Sequence, residues 1–166
     1  LRIPVAHFRA RRRHRRCLRK NAYVRLCSVA PRYCDAHFAL YRRYVAARHP
    51  GGSMDDPNPE SYQSFLTHSW CNTEFLELRE GNQLLAVAVV DDLGDALSAV
   101  YTFYEPQLPD RSLGTFAILQ AITETRRRGY DYLYLGYWIE GCARMDYKAE
   151  FRPHEVLTRS GWLWVE

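Results

Sequence analysis

The sequence predicts an α+β domain built on a mixed sheet, and three observations lead there. "TEFLELRE", "QLLAVAVVD" and "ALSAVYTFY" (73–80, 83–91 and 96–104) are β-rich runs divided by tight turns, so they form an antiparallel meander. Ile118, Leu119 and Ile122 then fall on one face of a helix, and "DYLYLGYWI" (131–139) returns to strand character. Strand, loop, helix and strand, with the second strand beside the first, make a crossover unit and hence one parallel pair in an otherwise antiparallel sheet.

The remaining elements follow in order. Residues 9–20, "RARRRHRRCLRK", hold seven Arg and one Lys with little hydrophobic periodicity, and as an isolated peptide they would form a solvated, self-repelling tail. Phe38, Tyr41, Tyr44 and Val45 recur at helical spacing between 33 and 49. "HPGGSMDDPNP" breaks structure, and Ser61 to Ser69 reads as a shorter helix. The long helix ends in "RRRG", with basic residues at its C-terminus and Gly129 at the capping position. A short helix from Ala143 to Phe151 and a hairpin over 156–165 complete the chain.

At 166 residues the chain can bury a core without disulfides or metal. It begins at Leu1 in mid-pattern, as a fragment would, and its longest apolar run, 84–90, is too short to span a bilayer. Five cysteines with no C-x-x-C pair argue against a disulfide framework and against a complete zinc site, so no metal is expected and a reducing cytoplasmic setting is. Charge is uneven: residues 1–50 carry fourteen Arg/Lys and one acid, whereas 51–166 carry nine and eighteen. The expected division is a basic segment, 1–32, left from an N-terminal region, followed by a transferase domain, 33–166.

The loop "PDRSLGTF" joins a strand to a helix N-terminus, where unpaired N–H groups and the helix dipole favour an anion. The element order resembles the N-acetyltransferase-like (GNAT-like) fold, whose Q/R-x-x-G-x-G/A signature holds the pyrophosphate of coenzyme A. Arg111 and Gly114 keep two of its positions. Phe116 stands at the third, where its bulk is expected to crowd a pyrophosphate.

Five blocks resemble the C-terminal part of the aminoacyl-tRNA protein transferases, the arginyl- and leucyltransferases of the N-end rule pathway. They are "RHPGGSMDDP", "LLAVAVVDDLGDALSAVYTFYEP", "RSLGTFAILQAI", "YLYLGYWI" and "MDYKAEFRPHEVL". The bacterial aspartate/glutamate leucyltransferase branch is the nearer, although Ser53, Ala96, Cys142 and Arg144 depart from the commoner residues. The resemblance implies transfer of an aminoacyl residue, Leu in this branch, from aminoacyl-tRNA to proteins with N-terminal Asp or Glu, with no cofactor and no membrane. The ester is already activated, so the site must supply position, an oxyanion donor and help with one proton.

Under that resemblance Arg111, Ser112, Leu113, Gly114 and Thr115 receive the tRNA 3′ end, with Tyr104 and Tyr137 available for stacking. Lys148, Tyr147 and Asp91 are the catalytic candidates, and Arg79 and Arg48, with Lys148, are candidates for the acceptor carboxylate. Arg11, Arg12, Arg15 and Arg16 would follow the acceptor-stem phosphates. Plainer readings stand beside these. The tyrosines pack, Gly114 serves backbone geometry, Arg111 pairs with Asp110 or another acid, Asp91 ends a strand, and His49 is a structural hydrogen-bonder. A coenzyme-A-dependent acetyltransferase, an arginyltransferase and a non-catalytic RNA-binding fragment remain as alternatives.

Overall fold

In a computed structural model, residues 1–48, 51, 57–67 and 71–166 are described. The expectations for His49, for Ser53 and most of the "HPGGSMDDPNP" break, and for the end of the second helix at Ser69 lie outside them. The elements are β1 (Arg2–Pro4), α1 (Arg12–Lys20), β2 (Arg25–Val29), α2 (Asp35–Arg48), α3 (Pro59–Leu66), β3 (Asn72–Glu80), β4 (Gln83–Asp92), β5 (Ala96–Tyr104), α4 (Leu113–Arg127), β6 (Tyr132–Tyr134), β7 (His154–Thr158) and β8 (Gly161–Val165). They build one sheet in the order β2-β3-β4-β5-β6-β1-β7-β8. The β5–β6 pair is parallel and its neighbours are antiparallel, as the crossover demands.

β4 reads as a continuous apolar run because both its faces are covered. Ala86, Ala88 and Val90 meet Leu76, Leu97, Phe116 and Ile122 in one core, while Val87 and Val89 meet Leu40, Tyr41, Tyr62 and Phe103 in the other. α4 belongs to the first core, and α2 and α3 to the second. α4 stops where Gly129 takes φ 76°: its N–H bonds Arg126 O and the next N–H, from Tyr130, bonds Thr125 O, a Schellman closure. Arg128 then ties that end to Glu74, Asp92 and Glu124 at 2.7–2.9 Å.

Two differences from the expected fold matter to the site. The strand predicted over 131–139 is only three residues long, because Gly136 turns the chain away at φ 79°. Its pairing with β5 covers Ala96–Ser98 alone, and beyond Ser98 the two chains splay. β5 also carries a bulge: Val89 faces Tyr101 while Val90 faces Ala99, leaving Val100 unpaired. The extra residue switches β5 between faces, so Leu97 and Ala99 serve the first core while Tyr101 and Phe103 serve the second.

The second difference concerns the basic segment 1–32, which is part of the same sheet. Residues 1–32 supply β1, between β6 and β7, the helix α1, and the edge strand β2. In α1, His14 and Cys17 are buried and Leu18 packs beside them, an i, i+3, i+4 stripe hidden among arginines. His14 stacks on Phe151 with ring centroids 5.1 Å apart, which joins α1 to the C-terminal part of the chain.

Candidate active site

The splay between β5 and β6 opens a cavity of about 480 Å³. Its floor is apolar, with Ala99, Val100, Ile118 and Leu135; Gly114 and Thr115 bring the first turn of α4 to it, and Arg144, Tyr147 and Lys148 also line it. The first backbone bond into α4 runs from Phe116 N–H to Ser112 O, so the Leu113, Gly114 and Thr115 N–H groups have no backbone acceptor. These donors and the positive helix end favour a developing oxyanion or a phosphate. Ser112 reaches this turn by adopting the left-handed conformation, φ 52°.

Lys148 and Tyr147 lie on the 3₁₀ turn Asp146–Glu150. Lys148 Nζ donates to Tyr137 O at 2.7 Å, and burial holds its ammonium below the ordinary lysine range. Burial, reinforced by Tyr104, pushes the Tyr147 phenol up. Tyr44, whose ring centroid is 4.8 Å from that of Tyr104, is pushed up to about 12, chiefly by burial. Around the site, then, the Tyr44 and Tyr147 phenols hold their protons while one lysine loses its proton more readily than usual.

The expected residues divide. Gly114, Thr115, Tyr104, Tyr147 and Lys148 line the cavity. Arg111 does not: its Nη1 pairs with Glu80 at 2.7 Å and its Nε donates to Asn21 at 2.9 Å, so it latches the start of α4 to β3 and to the end of α1. Leu113 buries its side chain, leaving only its amide for the cavity side. Tyr137 is 89% exposed on the loop after β6 and contributes its carbonyl. Asp91 accepts from Thr73 Oγ1 at 2.5 Å within β3–β4 pairing and is not among the residues that line the cavity.

Arg79 also stands outside the cavity lining. It pairs with Glu77 at 2.5 Å on β3, with β4 and β5 between it and the cavity. Burial raises the Glu77 carboxyl, but the bonds from Arg79 and His37 outweigh it and hold the group below its ordinary range. Arg48 stays at the margin, its guanidinium carbon 5.6 Å from the Tyr104 ring centroid. Arg11, at the N-cap of α1, and Arg12, Arg15 and Arg16 on it are exposed and enter no ion pair among the described residues. Phe116 is buried in the core, so the expected crowding of the anion seat by its ring is absent.

Sequence reasoning missed Arg144 as a site residue, together with Ile118, Leu135 and Tyr44. The signal for Arg144 was present: Arg144, Tyr147 and Lys148 follow an i, i+3, i+4 spacing that puts them on one side of a turn. Among the described residues no cluster of His, Cys, Asp and Glu could hold a metal, and no helix is long and apolar enough to cross a membrane.

The mixed sheet, its single parallel pair and the cavity at the splay define an N-acetyltransferase-like fold. The ribosomal-protein-S18-alanine N-acetyltransferase from Escherichia coli superposes with a TM-score of 0.55 at 16% identity, over 83% of this chain and 88% of that one. The model of the family described as "Arginine-tRNA-protein transferase, C terminus" matches residues 36–158. The aspartate/glutamate leucyltransferase of Alkalilimnicola ehrlichii is 56% identical over 166 residues, 99% of this chain and 70% of that protein. That of Halorhodospira halophila is 54% identical over 164 residues, 98% of this chain and 70% of that protein. The chain belongs to this transferase family, on the side of the aspartate/glutamate leucyltransferases.

Proposed function

We propose that the protein transfers leucine from Leu-tRNA to the α-amine of proteins that begin with Asp or Glu, so marking them for N-end rule degradation. The observation that carries this reading is the chemistry of the cavity. Its floor is apolar, its described lining holds no Asp or Glu, and its polar groups are cations, phenols, threonine hydroxyls and helix N–H donors. A leucyl side chain fits such a floor, whereas an arginyl side chain would find no carboxylate partner among the described lining residues.

The reaction needs little beyond position. The acceptor amine adds to the ester carbonyl, the carbonyl oxygen becomes an oxyanion, and the C–O bond to the terminal ribose then breaks to release a free hydroxyl on the tRNA. Gly114 and Thr115 N–H groups suit the oxyanion. Lys148 suits the proton: its bond to Tyr137 O fixes the nitrogen, and its neutral form keeps a lone pair that accepts the proton from the attacking amine and then returns it to the departing ribose oxygen. An α-amine with a pKa of about 7.7–8.0 is roughly one-tenth neutral at pH 7, so a modest base is sufficient.

The test is incubation with Leu-tRNA or Arg-tRNA and peptides beginning Asp, Glu or Ala, followed by mass measurement. Addition of one leucine to the Asp and Glu peptides alone is expected. Addition of arginine, or a thermal shift with coenzyme A and an acetylated product from acetyl-coenzyme A, contradicts the proposal.

A further inference from the structure

We infer that Arg144 reads the acidic side chain of the acceptor N-terminus. The inference rests on the leucyl-transfer reading and extends it to how one substrate is recognised. A carboxylate one or two carbons from the Cα that bears the reacting amine must be met close to the residues that handle that amine. Arg144 stands there, in the turn that leads into the 3₁₀ segment of Tyr147 and Lys148, and lines the same cavity as they do.

The other candidate cations are committed elsewhere. Arg79 is held by Glu77 at 2.5 Å, Arg111 by Glu80 at 2.7 Å, and Arg43 by Glu105 at 2.8 Å. Arg48 lies toward the Tyr104 ring, and Lys148 Nζ is tethered to Tyr137 O. Arg144 is exposed and has no carboxylate partner among the described residues, and the described cavity lining contains no acid to compete for it. A guanidinium fork can take a carboxylate through two parallel hydrogen bonds, and its long stem can follow either an Asp or a Glu side chain. A neutral Asn offers one acceptor and no charge, so it loses most of that interaction.

The experiment measures binding of otherwise identical Asp- and Asn-peptides by titration without tRNA, and leucyl transfer to both in parallel, for the wild-type protein and for Arg144→Ala and Arg144→Lys. The wild type is expected to prefer the Asp peptide. Arg144→Ala is expected to narrow that preference by roughly ten- to hundred-fold, the loss of one charge-assisted contact, with unchanged Leu-tRNA affinity and melting temperature. Arg144→Lys should restore part of it. An Asp-to-Asn ratio unchanged in Arg144→Ala, or a wild-type protein that binds the two peptides alike, overturns the assignment. If the wild type prefers Asp, Arg144→Ala loses the preference and no variant transfers leucine, Arg144 stands and the leucyl-transfer reading falls.

Discussion

The ring of Tyr104 lies directly against the backbone of Gly114: a Cβ on Gly114 would meet Tyr104 Cε1 at 3.1 Å. Gly114 has no positive φ to explain it, and its value is close approach to an aromatic wall of the cavity. Gly114→Ala should therefore push Tyr104 by a few tenths of an ångström and slow leucyl transfer, and Gly114→Val should do so more severely, at an overpacking cost of about 1–3 kcal/mol. Combining Gly114→Ala with Tyr104→Ala should give less than the sum of the separate losses in kcat/KM, with a coupling of about 0.5–3 kcal/mol. Strict additivity would mean that the contact has no bearing on the site.

Arg111 is expected to behave as a structural latch. Arg111→Ala removes the bonds to Glu80 and Asn21 and should lower stability by about 1–3 kcal/mol, toward the low end because Glu80 is partly exposed. Leu-tRNA affinity, titrated well below the melting transition, should stay within about two-fold, a change of less than ~0.5 kcal/mol. Weak tRNA binding by a protein that melts like the wild type would return Arg111 to the anion seat.

The exposed arginines of α1 should govern the salt dependence of RNA binding. With about four to six phosphates neutralised, log affinity should fall against log salt with a slope near −3 to −5. Replacing Arg11, Arg12, Arg15 and Arg16 with Ala should flatten that slope without lowering the melting temperature, since all four face solvent. A slope that survives the replacement removes α1 from the RNA interface.

Stability should fall in acid in two stages. His14 and His154 are buried, and desolvation holds both below the ordinary value of 6.5; beside His14, Arg13 and Arg11 push the same way against Glu150. Below pH 6.5 the unfolded chain therefore takes up protons that the folded one refuses, and stability declines with falling pH until the folded groups titrate. Glu74, Glu77 and Glu124 lie below 4.5, so their contribution, complete above 4.5, is lost as pH falls through their folded values. Urea unfolding at pH 7.5 and pH 5.5 should show the first loss in the wild type and a smaller one in His14→Gln. Equal losses would assign that stage to other groups.

The meander and the helix after it were legible because β-branched and aromatic runs and tight turns set their bounds locally. β3, β4 and β5 begin and end within a residue of the positions their sequences indicate. α1 was hidden because its buried residues are His14 and Cys17, neither strongly apolar, with Leu18 only partly covered in a field of arginine. β1 was hidden because three residues carry no period, and only long-range pairing with β6 and β7 defines it. At the site, local chemistry identified Gly114, Tyr147 and Lys148, but the partners of Arg111 and Asp91 come from other strands and helices. Glu80 lies 31 residues from Arg111, and no spacing rule links the two.

The most direct test of the crevice as the place of transfer is the single-turnover rate of leucyl transfer by Lys148→Met, with saturating Leu-tRNA and an Asp peptide. Met keeps much of the apolar stem and removes the nitrogen that accepts the proton. The chemical step should fall by about 10²–10⁴-fold, while the dissociation constant for Leu-tRNA stays within about two-fold. A wild-type single-turnover rate in a folded Lys148→Met protein would contradict the account and place the chemistry elsewhere on the molecule.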